Sequence, residues 1–436
     1  MKLVLAALIA VLVLPEAVAR LRLRAVAPPA GVFELYAAGD STVAGEPFDR
    51  RLSFPASVKA MFPGGIGGRP VEVVNLARPG DSMYPQAIAV REAMRMRRRG
   101  NPAAVLIYCG HNERFTEDRK PGALESQYVA ARSVALRWSA FAAWAIPSLE
   151  RALRARGTRT LGTYERGLRD AIEASLAAGA VPVVSTLVSN LTEVEPTVDC
   201  GREDPKKIAA LVKKGDWASW KGEAPCLAPL ASYFLAKKAE KAGDLKAAEN
   251  AYWEAVTEDP GNGFGRGTPA QNELIRRLAA EYRIPLVDSV ALFTAASPRG
   301  LLGAKLFSDG HHPSLEGHLL LARGYAAALS ERFGAPASKP ETPEEALRRV
   351  RSDGTDLAAA RLYSGRWLLT VSVGHPSPLG RLALAKRAFA DAAALDPSDP
   401  RPKLGLELVA TDADGAWLMK DDAAARIEPL GRPKRP

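Results

Sequence analysis

Ser41, His312 and Asp309 are the residue types of an activated nucleophile, and each stands in a short polar cluster. A serine hydroxyl attacks poorly until a base takes its proton, and histidine titrates in the useful range. A carboxylate must orient that histidine and stabilise the imidazolium as it forms. The oxyanion of a tetrahedral intermediate needs preorganised donors, which a glycine N–H (Gly80) and an asparagine amide (Asn112) can supply. The clusters read Gly39-Asp40-Ser41-Thr42-Val43-Ala44-Gly45, Asn75-Leu76-Ala77-Arg78-Pro79-Gly80-Asp81, Gly110-His111-Asn112-Glu113 and Ser308-Asp309-Gly310-His311-His312-Pro313. Asp40 reads as a turn-forming carboxylate, since Asx side chains bond their own backbone. Three of the five histidines (His111, His311 and His312) fall in two of these clusters, and His318 follows closely. His111 and His311 suit either a pocket lining or its supporting layer. No helical H-x-x-x-H pair accompanies them, so neither a metal nor a cofactor is predicted.

The elements that must hold these clusters can be read from hydrophobic runs. Val32–Ala38, Val71–Leu76, Ala104–Cys109, Val181–Leu187 and Pro285–Asp288 are short apolar runs with the length of buried strands. Helical patterns cover Phe54–Phe62, Tyr84–Arg98, Gln127–Arg156, Tyr164–Ala178, Pro269–Tyr282 and Leu315–Phe333. This alternation predicts an α/β fold with a parallel sheet and helices on both faces. Ligands of such sheets sit beyond the carboxyl ends of the strands, where all four clusters fall.

The set resembles the SGNH hydrolases, the GDSL esterase/lipase family, over roughly Phe33 to Phe333. Gly39-Asp40-Ser41 looks like the nucleophile block, Gly80 the second-block glycine, Gly110-x-Asn112 the asparagine block and Asp309-x-x-His312 the acid–base block. The resemblance implies a three-layer α/β/α, flavodoxin-like fold. It also implies that Ser41 is the nucleophile, His312 the general base and Asp309 its orienting acid. The oxyanion hole would be the N–H groups of Ser41 and Gly80 with the Asn112 side chain. Glu113 stands where the family usually carries Asp, and Ala77 where an extra glycine is common.

Other segments set the organisation. Residues 1–24 read as a signal peptide or an N-terminal membrane anchor, because Met1-Lys2 precedes twelve apolar residues, Leu3 to Leu14, and Ala17 and Ala19 form a small-residue cleavage site. Arg20, Arg22 and Arg24 on the far side argue against simple export. Export to the cell envelope, periplasmic or extracellular, is the expected location, with anchoring through residues 3–19 as one form of it. Residues 25–190 and 268–334 form the two parts of the hydrolase domain. Between them, residues 191–267 are an insertion that would cover the cleft. Its Leu235, Ala236, Gly243, Ala248, Tyr252, Ala255 and Pro260 resemble one tetratricopeptide repeat, and Gly380, Ala385, Phe389, Ala392 and Pro397 repeat that register. Residues 335–345 read as a linker, followed by a helical region and basic tail, 346–436, that offers a protein partner a surface. Cys200 and Cys226 are a disulfide candidate if the chain is exported.

The sequence carries 59 Lys+Arg against 49 Asp+Glu, a net charge of +10. Its arginine runs, Arg95 to Arg99, Arg151 to Arg159 and Arg432 to Arg435, read as solvated helix faces and termini. No nucleic-acid motif accompanies them, so nucleic acid is not an expected partner. The leading expectation is cofactor-free hydrolysis of an acyl ester, on a small molecule or an envelope glycan, through an acyl-enzyme. A polysaccharide O-acyltransferase with the same triad, or a tetratricopeptide-type scaffold on a hydrolase fold, are the alternatives.

Overall fold

The computed structural model describes residues 14–18, 28–113, 139, 141, 160–201, 205–259, 265–412 and 415–431. Most of the N-terminal apolar run (residues 3–13), the arginines at 20, 22 and 24, nearly all of the helix expected over Gln127–Arg156, the arginine run at 151–159, Pro260 and the basic tail lie outside them. Among the described residues, no helix is long and apolar enough to cross a membrane.

Five parallel strands form one sheet: β1 (Phe33–Gly39), β2 (Val71–Asn75), β3 (Ala103–Tyr108), β4 (Val181–Ser185) and β5 (Leu286–Val287). Their order is β2-β1-β3-β4-β5, the flavodoxin-like order of a doubly wound sheet. Every residue of β1 and β3 is buried, as expected of strands covered on both faces, whereas β2 at one edge is largely half-buried. β5, expected to run from 285 to 288, keeps only two residues in the ladder.

The first helices are α1 (Ser41–Ala44), α2 (Phe54–Ala60), α3 (Met83–Met96) and α4 (Leu161–Ala177). After the fourth strand come α5 (Pro205–Lys214), α6 (Trp217–Glu223), α7 (Ala228–Ala242), α8 (Leu245–Glu258) and α9 (Pro269–Tyr282), then α10 (Ser289–Ala296) and α11 (Leu315–Phe333). α3 packs with α4 in one layer and α2 with α11 in the other. Aromatic contacts join the helices of the second layer and tie it to the sheet: Phe54 of α2 stacks on Tyr325 of α11 at 5.1 Å, and Phe33 of β1 meets Phe333 edge-on at 4.9 Å. The buried Tyr325 hydroxyl donates to Ile107 O near the end of β3, which satisfies a polar group inside the core.

The insertion folds as helices. α7 and α8 form a hairpin turned by Gly243, whose φ of 82° is the left-handed conformation that suits glycine. Cys200 and Cys226 are bonded, with Cα atoms 5.0 Å apart, across the loop that carries α5 and α6.

The C-terminal region contains α12 (Pro343–Val350), α13 (Thr355–Thr370), α14 (Leu379–Leu395), α15 (Arg401–Thr411) and α16 (Ala423–Ile427). Phe389 is the wedge of this bundle. Gly365 of α13 and Gly405 of α15 both press on its ring, where an added Cβ would lie 2.7 Å away. The repeat register is only partly matched. Gly243 makes a turn between two helices, but Gly380 lies in the first turn of α14, because residues 371–378 already connect α13 to α14. The helical region has a core around Phe389, Leu368, Trp417 and Leu418, which Val194 of the insertion joins. The segment expected as a linker runs along the body: Ala335 is buried and Ser338 N donates to Met61 O.

One expectation is corrected. Arg97, in the run taken as a solvated helix end, is buried; it pairs with the buried Glu34 at 3.7 Å and donates to the carbonyls of Ala178 and Asn101. The buried carboxylate of Glu34, which also accepts from Tyr36 and Asn101, needs a cation beside it, and Arg97 at the helix end is that cation.

Candidate active site

The turn after β1 is built by its neighbours. A Cβ on Gly39 would lie 2.2 Å from both Tyr108 O and Val43, so only glycine lets β1 pass β3 here. Asp40 caps α1 by accepting from Thr42 N at 3.1 Å, and Gly45, with φ 105°, closes it. Ser41 is the first residue of that short helix, at the helix end where backbone N–H groups are unpaired. Buried Gln86, which the sequence reading did not single out, accepts from Gly39 N and donates to Asp81. It joins the first and second clusters through one side chain.

The fourth cluster is a closed loop before α11. Ser308 N donates to His312 O at 2.8 Å, and Ser314 caps α11 by accepting from Gly317 N. Within the loop, Asp309 Oδ1 accepts from the backbone N–H groups of His311 and His312. Its other oxygen stands 2.7 Å from His312 Nδ1, and His312 Nε2 stands 2.8 Å from Ser41 Oγ. Asn190, after β4, secures the loop from outside, donating to Asp309 O while its own N–H meets Gly310 O. It too was missed, because its role depends on a contact more than a hundred residues away.

The remaining clusters sit at the same edge. Gly110 follows β3, and Gln271 donates to its carbonyl. Asn112 donates its amide to Asp81 O at 3.1 Å, which fixes the side chain next to the second cluster. Gly80 has φ 83°, and an added Cβ would meet nothing within 4 Å; its glycine is required by backbone conformation, and it faces open space. Glu113 accepts from Met83 N at the start of α3, which accounts for an acidic residue there without a chemical role.

The histidines have separate duties. Burial alone would push the His312 imidazole down, but the Asp309 charge and hydrogen bond outweigh it and hold it above the ordinary value. His311 is pushed well below that value by burial and by the neighbouring His312 and His111, so it is neutral. His111 donates from Nε2 to Val188 O and places Nδ1 3.4 Å from Asp40, a buried contact directly behind Ser41. Burial acts to raise the Asp40 carboxyl, but His111 and the Thr42 N–H together bring it below the usual range. His318 is lowered to about 4 by burial and lies against Glu46 O, beside the Ser41 turn. His375 accepts from Ser377 N and meets Pro196 O, away from this cluster.

Asp309, His311 and His312 offer ligand atoms within 4.8 Å of one another, the kind of grouping that holds a metal. A cation bound by His312 would have to take a nitrogen already engaged with Asp309 or Ser41. The arrangement is instead suited to proton transfer: carboxylate, imidazole and hydroxyl in hydrogen-bonded succession, on the carboxyl edge of the sheet, beyond the paired ends of β1 and β3.

No family model matches the chain, and no curated protein does. Solved structures that resemble it include a GDSL-like lipase from Bacteroides thetaiotaomicron, at 13% identity and a TM-score of 0.36, covering 71% of this chain and 95% of that one. An acetylxylan esterase from Geobacillus stearothermophilus matches at 14% identity and 0.35, covering 69% and 94%. A member of the lipolytic G-D-S-L family from Veillonella parvula matches at 13% and 0.34, covering 68% and 97%. The scores are below one half, so the weight falls on this chain's own residues. Gly39-Asp40-Ser41, Gly80, Gly110-x-Asn112 and Asp309-x-x-His312, gathered at the carboxyl edge of one flavodoxin-like parallel sheet, are what make it SGNH/GDSL-like.

Proposed function

We propose that the protein cleaves carboxylic esters with Ser41 as nucleophile. The observation that carries this is the unbroken line Asp309–His312–Ser41, with contacts of 2.7 and 2.8 Å. His312 Nε2 takes the Ser41 proton as Oγ bonds to the acyl carbon. The oxyanion is met by the backbone N–H groups of Ser41 and Gly80 and by the Asn112 amide. The C–O bond to the alcohol then breaks, and the same nitrogen returns the proton to the departing alkoxide. Water, deprotonated by His312, then bonds to the acyl carbon, and the imidazolium returns the proton to Ser41 Oγ as the acyl–Oγ bond breaks and the acid leaves.

The bonded Cys200–Cys226 pair supports an oxidising compartment, and with the N-terminal apolar segment it favours an exported envelope enzyme. An acylated glycan or small ester of that compartment is the substrate class.

The test is Ser41→Ala. It is expected to abolish turnover of p-nitrophenyl acetate while the circular dichroism spectrum and melting midpoint stay those of the parent. A folded S41A protein that keeps wild-type turnover would overturn the assignment.

A further inference from the structure

The C-terminal helical region reaches the reacting groups. Most of α13 faces the core around Phe389, but Tyr363 and Trp367, four residues apart and therefore on one face, look toward the sheet domain. The Tyr363 hydroxyl donates to the Glu46 carboxylate at 2.8 Å. Glu46 is part of the nucleophile turn, since its N–H donates to Ser41 O and its carbonyl meets His318. One turn further along the helix, the Trp367 ring stands edge-to-face with His311 at 5.7 Å and with His312 at 6.1 Å. Ser41, Asp309 and His312 are all buried, and this indole stands beside the histidine of that line.

Chemistry assigns that side. The His312 nitrogen that faces Ser41 is the one that protonates the leaving alkoxide, so the alcohol half of the ester must lie within its reach. A group packed against the His312 ring flanks the alcohol, whereas the carbonyl oxygen points toward the Gly80 and Asn112 donors. Trp367 is half-buried and braced by the C-terminal core, so its ring is a fixed surface and not a mobile flap. A rigid indole selects partners with a flat apolar face at low entropic cost. Of the alcohols in an ester, a pyranose ring presents such a face through its axial C–H bonds, with hydroxyls only at its rim.

We propose that Trp367 is the alcohol-side platform of the site and that the ester it selects is an O-acylated sugar ring. The C-terminal helical region is then part of substrate recognition. The proposal rests on the ester chemistry assigned to Ser41.

The experiment uses the full chain and two esters with the same acetyl group, a mono-O-acetylated hexopyranoside and ethyl acetate. The readout is the ratio of their kcat/KM values. Trp367→Ala is expected to lower this ratio about tenfold or more, carried by KM of the sugar ester. Trp367→Phe restores most of the ratio. Trp367→Leu, which keeps bulk without a ring and serves should the alanine variant misfold, lowers it as alanine does. An unchanged ratio in the alanine and leucine variants overturns the proposal while leaving the esterase assignment standing. A wild-type protein that turns over neither ester overturns that assignment, and the proposal with it.

Discussion

Arg381 offers the sharpest test of how the C-terminal helices are fastened to the catalytic sheet. Its guanidinium is buried among the carbonyls of Val371, Glu195 and Pro196, and it lies 3.9 Å from the Glu195 carboxylate. Glu195 belongs to the start of the insertion and also accepts from the N–H groups of Gly380 and Arg381. Arg266 donates to Val194 and Glu195 from the other side. Burial raises the Glu195 carboxyl despite its cationic neighbour and lowers the Arg381 guanidinium to about 10. Desolvation therefore outweighs attraction at both ends, and the intact pair adds little net stability. Removing one end is different, because a buried carboxylate and three carbonyls are left facing an apolar side chain. Arg381→Met should cost about 3–5 kcal/mol. At roughly 2 °C per kcal/mol for a chain of this size, the melting midpoint should fall by about 6–10 °C. The double variant Arg381→Met with Glu195→Gln removes the stranded charge and should recover about half of that loss. Calorimetry or urea unfolding of the wild type, both single variants and the double variant gives the coupling directly. A loss below about 1 kcal/mol for Arg381→Met, or strict additivity in the cycle, would refute the reasoning.

Other outcomes follow from the site. Asp309→Asn should lower kcat by about 1,000- to 10,000-fold, because the amide presents the wrong partner to His312 Nδ1. His312 must be neutral to act as base, and its value is raised above the ordinary 6.5, so kcat/KM measured across pH should fall on the acid side through a midpoint above 6.5. In Asp309→Asn the charge that raises it is gone, and the residual activity should show that limb displaced to lower pH. Gln86→Leu strands Gly39 N and should cost about 1–3 kcal/mol in chemical unfolding. Gly265→Ala, whose Cβ would fall 1.0 Å from His111 O, should yield protein with a lowered melting midpoint and little esterase activity.

What the sequence disclosed follows from locality. The strands announce themselves because a strand covered on both faces must be apolar along its whole length, as Phe33–Gly39 and Ala103–Tyr108 are. Doubly wound topology then delivers their carboxyl ends to one edge, so Ser41 and the Gly110–Glu113 turn can be placed together before any coordinates exist. The Asp309–His312 pair is legible for the same reason, being three residues apart within one turn. Gln86, Asn190 and Gly265 are not legible. Each is an ordinary residue in its own segment, and its importance comes from a backbone group brought to it by the fold. Arg97 misled because a cation at a helix end is usually solvated, and nothing in its neighbourhood reveals that Glu34 is buried opposite it.

The C-terminal helices show the same limit at larger scale, and there it changes the functional argument. An alanine-rich register and a Pro-containing connection both favour reading residues 346–436 as a separable module. Separability, however, is decided by what lies between the units. Here Leu52, Leu315 and Leu319 of the catalytic body share a core with Ala346, Val350 and Ala360, and the Arg381–Glu195 pair is buried beside the insertion. An interaction module on a hinge would leave such faces polar and wet. A unit whose removal exposes a shared apolar core, strands a buried carboxylate and strips the tryptophan from beside His312 is not separable in that sense. Loss of residues 340–436 should therefore depress esterase activity as well as stability, whereas a free-standing binding module would leave the activity of the sheet domain intact.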